Sequence, residues 1–369
     1  MKIAIDARFA NMKVGIGRVA YNLTTEILLL DNKNQYIILL DKDDPFKEIK
    51  KDNVIKLHNK RALKNKLLWQ FVYLPYILRK KKIDVFFSTE NLIRPVFFKG
   101  KTITTIHDLI PLVYKEYLKP FSPYKIKLAI TKLFPPEKFM TVSNFSKEEI
   151  KRILKTEENK IFVIKESFDK RIKNIKQSNN ILHNLDIKKP YILGIGGMEL
   201  RKNNKILISA FISMIEKNTE LKHTLVIVGN IYSKKIPMEK HLISDNLRER
   251  IRFIGDLRDE ELSVIYENAE IFVYPTIYEG FGLPPLEAFK HKVPVIASNI
   301  TSIPEVVKDA AILINPYKEK DIEEAMLKII RNDNLKKDLI KKGTKILRNY
   351  NWKEAANKVI KEFDKLYEK

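Results

Sequence analysis

The chain contains no cysteine among its 369 residues. This absence excludes disulfide bonds, thiolate metal sites and cysteine nucleophiles, and it fits a reducing compartment. Glycine and proline are also scarce, at 11 and 16 residues, which excludes collagen-like and low-complexity chains. Because 44% of the residues are hydrophobic, the apolar material still suffices for packed cores. We therefore expect a globular protein whose chemistry relies on side chains other than thiols.

Long hydrophobic runs are missing as well. The most apolar window, residues 67–78, is interrupted by Gln70 and Pro75, whereas a membrane span needs about 20 apolar residues. Asp6 and Arg8 lie where a signal peptide would need an apolar core, which argues against such a leader. The sequence therefore predicts a cytoplasmic protein, either free or held peripherally at the inner face of the cytoplasmic membrane.

Acidic residues are outnumbered by basic ones, 46 to 69, and the formal net charge is +23. Such an excess attracts phosphate-rich surfaces, either anionic lipid or nucleic acid. The basic residues are spread along the chain and no recognisable nucleic-acid module is present, so we expect no nucleic-acid partner. A composition that is rich in lysine for reasons unrelated to function is the alternative explanation.

Short apolar runs alternate with helical patterns from end to end, which predicts parallel sheets covered by helices on both faces. The predicted strands lie at residues 3–5, 36–40, 85–87, 102–106, 139–142, 191–195, 225–228, 251–254, 271–274 and 295–297. Ser146 and Glu149 form a capping box, which predicts that a helix begins at Ser146 and runs through Ile153. A polar stretch at residues 169–180 interrupts the alternation. The fold prediction is therefore α/β, with two doubly wound Rossmann-like domains at residues 1–175 and 176–351. An amphipathic last helix at residues 352–369 is expected to complete the first domain.

Two features of the first domain fall on the edge where parallel strands end and ligands bind. Gly15 and Gly17 open the helix after the first strand, where glycine permits close approach and free N–H groups attract an anion. A tight turn is the alternative, and the third glycine of a dinucleotide fingerprint is missing. His107 follows the strand at residues 102–106, and it is either a functional group or a structural histidine.

The first loop of the second domain is a candidate pyrophosphate site. Its strand ends in glycines that include Gly197, and Arg201 and Lys202 follow just before a helix. Arginine supplies a bidentate fork and lysine a compact point charge, and both suit phosphate oxygens. The alternative is a basic helix cap in a lysine-rich chain.

A second loop of this domain, EGFGLPPLE, carries two carboxylates eight residues apart. Glu279 lies in the loop and Glu287 about one turn inside the following helix, with the amides of Phe281, Gly282 and Leu283 between them. These amides suit an anion. Because a carboxylate repels phosphate, both glutamates should face hydroxyl groups. A diphosphate flanked by two polyols, which is a nucleotide sugar, fits this arrangement.

No metal site is expected. Asp41 and Asp43 form a DxD pair, but they lie in a lysine-rich stretch that favours a solvated turn. The chain has no cluster of histidine or cysteine ligands elsewhere.

With these motifs in place, the sequence resembles the retaining nucleotide-sugar glycosyltransferases of family 4, which have the two-domain GT-B fold. Glu279 and Glu287 match that family's E-x7-E element, and the resemblance extends over essentially the whole chain through DAR, GIGRVAYNL, HDLIPLVY, TVSNFSKEEI, GGMELRKN, VIVGN, FIGDL and ASNITSIPEVV. The GIGR opening resembles bacterial mannosyltransferases of polysaccharide assembly. The implied architecture places the two domains on either side of a cleft.

The resemblance also implies residue roles. Glu287 would bind the nucleotide ribose, Glu279 the donor sugar, and Arg201 with Lys202 the diphosphate. The remaining expected site residues are His107 near the reacting sugar, Gly15 and Gly17 near phosphate or acceptor, and Gly197, Phe281, Gly282 and Leu283 around the donor. The implied reaction is hexosyl transfer with retention, without metal or cofactor, in which Arg201, Lys202 and Glu279 serve catalysis together with His107.

The chain departs from the family pattern at two places. Many members carry an additional phosphate-binding arginine just after the first strand of the second domain, where this chain has glycines, so Arg201 must supply most of the guanidinium chemistry. The glycine that usually closes the double-glutamate helix is replaced around His291 and Lys292. A left-handed residue there would cost up to ~1 kcal/mol.

Donor and acceptor remain open at this level. GDP-mannose is the leading donor and a UDP-sugar the second, with a glycan or lipid-linked glycan as acceptor. Residues 60–101 hold eleven Lys or Arg against two acidic residues, interleaved with aromatic ones. This segment is either a patch for an anionic membrane or a solvated face. A GT-B module that binds nucleotide sugar without turnover, as sensor or scaffold, is the alternative function.

Overall fold

The computed structural model describes residues 1–12, 15–41, 43–58, 68–90, 94–95, 97–114, 131, 134–169, 179–230, 247 and 249–368. The chain forms two compact units. The first combines Met1–Asp169 with Asn351–Lys369, and the second is Lys170–Tyr350. The domain boundary predicted at residue 175 falls in residues 170–178, outside the described residues.

The first unit is built on a parallel sheet whose described strands follow the order β3-β2-β1-β4-β5-β6-β7. The strands are β1 Lys2–Asp6, β2 Gln35–Leu40, β3 Val54–His58, β4 Val85–Ser88, β5 Lys101–Ile106, β6 Lys138–Thr141 and β7 Ile161–Val163. The helices are α1 Gly15–Leu30, α2 Leu74–Lys80, α3 Ile110–Val113 and α4 Asn144–Leu154, and a π-helical turn at Trp69–Tyr73 leads into α2. The chain order reverses between β1 and β4, so ligands are expected at the carboxyl ends of these strands.

The second unit has a parallel sheet in the order β10-β9-β8-β11-β12-β13. Its strands are β8 Tyr191–Ile195, β9 Thr224–Val228, β10 Ile251–Ile254, β11 Ile271–Tyr274, β12 Val295–Ser298 and β13 Ala311–Ile314. Its helices are α5 Asn179–Asn184, α6 Asn204–Lys217, α7 Asp259–Asn268, α8 Leu283–Lys290, α9 Ile303–Val307, α10 Glu319–Ile330 and α11 Asp333–Ile346. The order reverses between β8 and β11, and this pair is the corresponding switch point.

All ten predicted strands are present, within a residue or two at their ends. The prediction missed β3, β7 and β13, which lie at sheet edges. Because an edge strand is covered less completely, β3 is only partly buried and includes Lys56, while β7 has just three residues. β3 therefore lacks the continuous apolar run on which the prediction relied, whereas β7 and β13 are short apolar runs that the prediction passed over.

The last helix, α12, spans Trp352–Tyr367, as its amphipathic pattern predicts. Its buried face, including Trp352, Val359 and Phe363, belongs to the same apolar core as β1 and α1 of the first unit. The Trp352 indole Nε1 donates a hydrogen bond of 3.0 Å to the Phe168 carbonyl. Burial of these large apolar side chains holds the end of the chain in the first unit.

One predicted helix start is wrong. The pattern at residues 146–149 suggested that Ser146 caps a helix, but α4 begins at Asn144 and Ser143 is its N-cap. The Ser143 hydroxyl oxygen accepts a hydrogen bond of 2.9 Å from the Ser146 amide. Serine occupies both positions, and only the extended backbone of Ser143 allows capping.

Among the described residues, no helix is both long enough and apolar enough to cross a membrane.

Helix α8 ends in a left-handed residue that is not glycine. Lys292 has φ of 58°. The amides of Lys292 and Val293 donate to the carbonyls of Phe289 and Ala288, each at 3.0 Å. These bonds end the helix. The backbone of Lys292 is strained there, because a residue with a Cβ is disfavoured in the left-handed region.

Lys292→Gly is therefore expected to stabilise the protein by up to ~1 kcal/mol, since Lys292 is exposed and glycine removes the strain. The measurement is the free energy of unfolding in denaturant. The matched control is Lys341→Gly, which places glycine at an exposed position inside α11 and should destabilise by about 1 kcal/mol. Similar losses in both variants would contradict the strain argument.

Candidate active site

The candidate site lies where β8 and β11, which are hydrogen-bonded neighbours, end at the same edge of the second sheet. A 3₁₀ turn at Leu200–Lys202 follows β8. The Arg201 carbonyl accepts hydrogen bonds from the Ile277 amide at 2.8 Å and from the Thr276 hydroxyl at 2.9 Å. The strand order and these two bonds join the Arg201 loop to the loop that carries Glu279.

Two glycines let the loop after β8 fold tightly. Gly196 has φ of 101°, and a Cβ there would collide with the Lys202 side chain that crosses it. Gly197 has φ of 56°, and its Cβ would collide with the Asn230 carbonyl. The amides of Gly196 and Gly197 donate to the Val228 carbonyl at 2.8 and 2.9 Å. Gly197 thus packs two loops together, and its amide hydrogen is already bonded to protein.

The Glu279 carboxylate is the centre of the site. Its Oε1 atom accepts four hydrogen bonds, from Arg201 Nη1, Lys202 Nζ and the Tyr274 hydroxyl at 2.7 Å each, and from the Thr276 hydroxyl at 3.0 Å. The Glu279 side chain is 11% exposed. No donor of the described chain reaches its other oxygen, Oε2. One oxygen is therefore anchored by protein, and the second is left as a hydrogen-bond acceptor.

The charges in this cluster are strongly coupled. Burial opposes ionisation of Glu279, but Lys202 and Arg201 outweigh it and lower the Glu279 pKa to about 2. Burial lowers the pKa of Lys202, which Glu279 partly offsets, while Glu279 raises the pKa of Arg201 against its burial. Arg201 Nε also donates to Glu199 at 2.6 Å. Because Glu199 is 38% exposed, it is the carboxylate that an incoming anion could replace most easily.

Helix α8 presents the second glutamate and a set of amides. Gly282 has φ of 108° at the N-cap, and two prolines occupy the first turn, where their lack of N–H costs nothing. Glu287 is buried one turn inside α8, and the Tyr266 hydroxyl lies 3.1 Å from its Oε2. No acceptor of the described chain binds the amides of Phe281, Gly282 and Leu283. Free amides at a helix N-terminus attract an anion.

The first unit contains the other predicted residues. His107 is buried at the end of β5, with Nε2 3.0 Å from the Thr89 carbonyl and Nδ1 3.5 Å from Glu166 Oε1. Burial opposes protonation of His107, but hydrogen bonding and charge of Glu166 outweigh it and raise the pKa above its usual value. Both acceptors favour hydrogen on both ring nitrogens, so His107 is suited to carry positive charge rather than to accept a proton.

The two glycines that open α1 differ in their surroundings. A Cβ at Gly17 would collide with the Met12 carbonyl and lie 2.7 Å from the Phe9 carbonyl, whereas a Cβ at Gly15 would meet nothing within 4 Å. Gly17 is required for the tight turn, and Gly15 leaves open space at the start of the helix. Within the described parts of the chain, no group of three or more His, Asp or Glu side chains could hold a metal ion.

The structure brings Arg201, Lys202 and Glu279 into direct contact, and Phe281, Gly282, Leu283 and Glu287 follow on the same loop and helix. Sequence reasoning missed Tyr274, Thr276 and Tyr266. Tyr274 ends a buried apolar strand, and its hydroxyl at the carboxyl end of that strand could have identified it as a candidate site residue. Tyr266 lies on α7 and only its packing reveals it.

The chain is similar in sequence to known glycosyltransferases. A sequence profile described as "Glycosyl transferases group 1" matches residues 175–346. The chain is 31% identical over 271 residues to the O-antigen chain mannosyltransferase B of Escherichia coli, covering 72% of this chain and 71% of that one. It is 26% identical over 287 residues to the O-antigen chain mannosyltransferase RfbU of Salmonella typhimurium, covering 75% and 74%.

A solved structure extends the comparison to the fold. The Anabaena HepE protein, crystallised with UDP and glucose, superposes with a TM-score of 0.72 at 14% identity, over 99% of this chain and all of that one. At this identity the likeness concerns the fold alone. The predicted GT-B fold class is confirmed.

Proposed function

Because the chain belongs to the group 1 glycosyltransferases, we propose that it moves a hexose, with mannose favoured, from a nucleotide sugar to a glycan or lipid-linked glycan in cell-surface polysaccharide synthesis. The observation that carries this proposal is the Glu279 carboxylate, with one oxygen anchored by four donors and the other left as an acceptor. Sugar hydroxyl groups are suitable donors for such an oxygen. The mannosyltransferases among the relatives and the GIGR opening support mannose.

The donor would bind along the α8 end of the site. The diphosphate would lie against the amides of Phe281, Gly282 and Leu283, with Arg201 exchanging Glu199 for phosphate oxygens. The sugar would contact Glu279, and the ribose would contact Glu287. Each carboxylate then meets hydroxyl groups, while the phosphates meet cations and amides.

The chemistry follows from stabilising a leaving group. Breaking the bond between sugar and phosphate leaves negative charge on the diphosphate and an oxocarbenium-like sugar. Arg201, Lys202 and the α8 amides would stabilise that charge through fixed donors, without a metal ion. We propose that the leaving phosphate takes the acceptor proton and that attack on the same sugar face retains configuration. Glu279 positions the sugar, so no protein nucleophile is required.

A donor screen in the presence of chelator tests this proposal. Purified protein is incubated with GDP-mannose, UDP-glucose or another nucleotide sugar, a glycan acceptor and excess EDTA, and nucleotide release and product linkage are followed. We expect turnover with one donor, unchanged by EDTA, and an anomeric configuration equal to that of the donor. Inversion would reject the mechanism, and activity that EDTA abolishes and Mg²⁺ or Mn²⁺ restores would reject the metal-free site.

The same screen tests the second candidate, a module that binds nucleotide sugar without turnover. His107, Lys202, Glu279 and Glu287 are all intact, and they are the groups that turnover would need. Tight donor binding with no nucleotide release for any donor and acceptor would favour the sensor or scaffold.

We also propose that the first unit binds an anionic membrane surface. Residues 60–67, 91–93 and 96 of the basic segment lie outside the described residues, but the rest contains an exposed face along residues 68–82. Leu68, Val72 and Tyr76 are 55%, 61% and 55% exposed at helical spacing. The lysines at 80, 81 and 82 follow directly. Apolar side chains beside lysines suit the boundary between acyl chains and anionic headgroups.

Replacing Lys80, Lys81 and Lys82 together with Gln is expected to weaken binding to anionic vesicles 10-fold or more, since each lysine near the surface contributes ~1 kcal/mol. Co-sedimentation with vesicles of rising phosphatidylserine content measures this, and salt should weaken binding of the parent. The control variant replaces Lys337, Lys341 and Lys345, three exposed lysines on α11, with the same loss of charge. Activity on a short soluble acceptor should survive in both. If the two triple variants bind anionic vesicles equally well, the lysines at 80–82 form a solvated face rather than a membrane-binding patch.

A further inference from the structure

We propose that Tyr266 is a positioning residue that sets the orientation of the Glu287 carboxylate for the nucleotide ribose. This inference rests on the proposed function, because it concerns the site at which the donor nucleotide would bind. Tyr266 lies on α7, outside the loops that carry the recognised motifs, and nothing in the sequence pattern singles it out.

The contact is direct and fully buried. The Tyr266 side chain is 1% exposed, and its hydroxyl lies 3.1 Å from Glu287 Oε2 and 3.4 Å from the Pro284 carbonyl. Both acceptors belong to the first two turns of α8. The phenol therefore links α7 to the part of α8 that would face the nucleotide.

The Tyr266 ring is held on two sides. It stacks on the His291 ring, with ring centroids 5.7 Å apart and an interplanar angle of 2°. It also packs edge-on against the Phe272 ring, with centroids 5.5 Å apart. Burial lowers the pKa of His291 to about 4, so this neighbour is neutral near pH 7 and does not compete for the carboxylate. Because the ring is fixed, the hydroxyl cannot follow Glu287 into another rotamer.

This geometry has a consequence for ribose binding. A carboxylate offers about four lone-pair positions on two oxygens, and two adjacent hydroxyls of a ribose use them best when the plane of the carboxylate is fixed. The Tyr266 hydroxyl occupies one position on Oε2 and restricts rotation of the group. Tyr266 therefore favours the orientation that the ribose requires without touching the ribose itself.

The test uses Tyr266→Phe, which keeps the ring and its stacking and removes only the hydroxyl. Calorimetry compares GDP with its 2′-deoxy and 3′-deoxy analogues, and UDP analogues are used if the donor proves to be a UDP-sugar. We expect Tyr266→Phe to bind GDP about 5- to 10-fold more weakly, because losing this orienting contact should cost about as much as losing one ordinary hydrogen bond. The preference for GDP over its deoxy analogues should fall by a similar factor.

Tyr191→Phe is the matched control. Tyr191 is fully buried, and its hydroxyl donates a hydrogen bond of 2.6 Å to the Ile265 carbonyl on the same helix α7. Removing that hydroxyl perturbs α7 equally but leaves Glu287 untouched, so stability should fall while the preference for ribose remains. Loss of that preference in both variants, or in neither, would overturn the proposal.

A double variant separates positioning from general damage. In a Glu287→Ala background, Tyr266→Phe should have no further effect on GDP affinity, because its target is gone. Additive losses would overturn the proposal. A parent protein that binds neither GDP nor UDP would reject the proposed function itself, whereas a parent that prefers ribose and a Tyr266→Phe variant that prefers it equally would reject the Tyr266 assignment alone.

Discussion

Glu287→Ala is expected to weaken nucleotide binding by two orders of magnitude or more. A ribose diol that donates two hydrogen bonds to a buried carboxylate gains about 1.5–3 kcal/mol from each, and the truncated side chain accepts neither. Calorimetry with GDP and UDP measures the loss.

Glu324→Ala serves as the control for this variant. Glu324 is exposed on α10, and its removal should change nucleotide affinity by less than about twofold. Unchanged affinity in Glu287→Ala would show that the ribose lies elsewhere.

Glu279→Gln is expected to lower the rate of sugar transfer about 100- to 1000-fold while free-nucleotide affinity stays within a few fold of the parent. The amide nitrogen replaces an acceptor oxygen that the sugar would use. The substituted side chain also no longer provides a negative charge beside Arg201 and Lys202. Arg201 then remains for the diphosphate, because its Nη1 loses its charged partner. Steady-state transfer assays and calorimetry on the same preparation measure both quantities.

The same substitution should also destabilise the fold, by up to about 3–5 kcal/mol, because Lys202 is left in a buried position without a charged partner. Thermal unfolding measures this separately from catalysis. A loss of nucleotide affinity as large as in Glu287→Ala would contradict the assignment of one carboxylate to the sugar and the other to the ribose.

Much of the site could be read from local sequence. The eight-residue spacing of Glu279 and Glu287, with glycine and two prolines between them, predicts a loop that enters a helix, and the structure has this arrangement. The sequence also shows that the usual glycine after α8 is replaced, and Lys292 adopts the left-handed conformation there. These features depend on the preferences of neighbouring residues, which act over a few positions.

Contacts between residues far apart in the chain were harder to predict from the sequence. Tyr266 contacts Glu287 from 21 positions away in the chain. Nothing in the amphipathic pattern of α7 distinguishes a core tyrosine from one whose hydroxyl meets a carboxylate. The same limit explains the edge strand β3, whose pairing depends on its neighbour in the sheet rather than on an apolar run of its own.

The sequence by itself determined the alternation of strands and helices, the absence of thiol chemistry and the residues that could bind a diphosphate and hydroxyl groups. The tertiary structure decided which of them meet. Lys202 and Glu279 are 77 positions apart, and they are in contact because β8 and β11 are neighbours at the switch point of the sheet. Strand order results from packing of the whole unit, and the local periodicity of a chain carries no information about it.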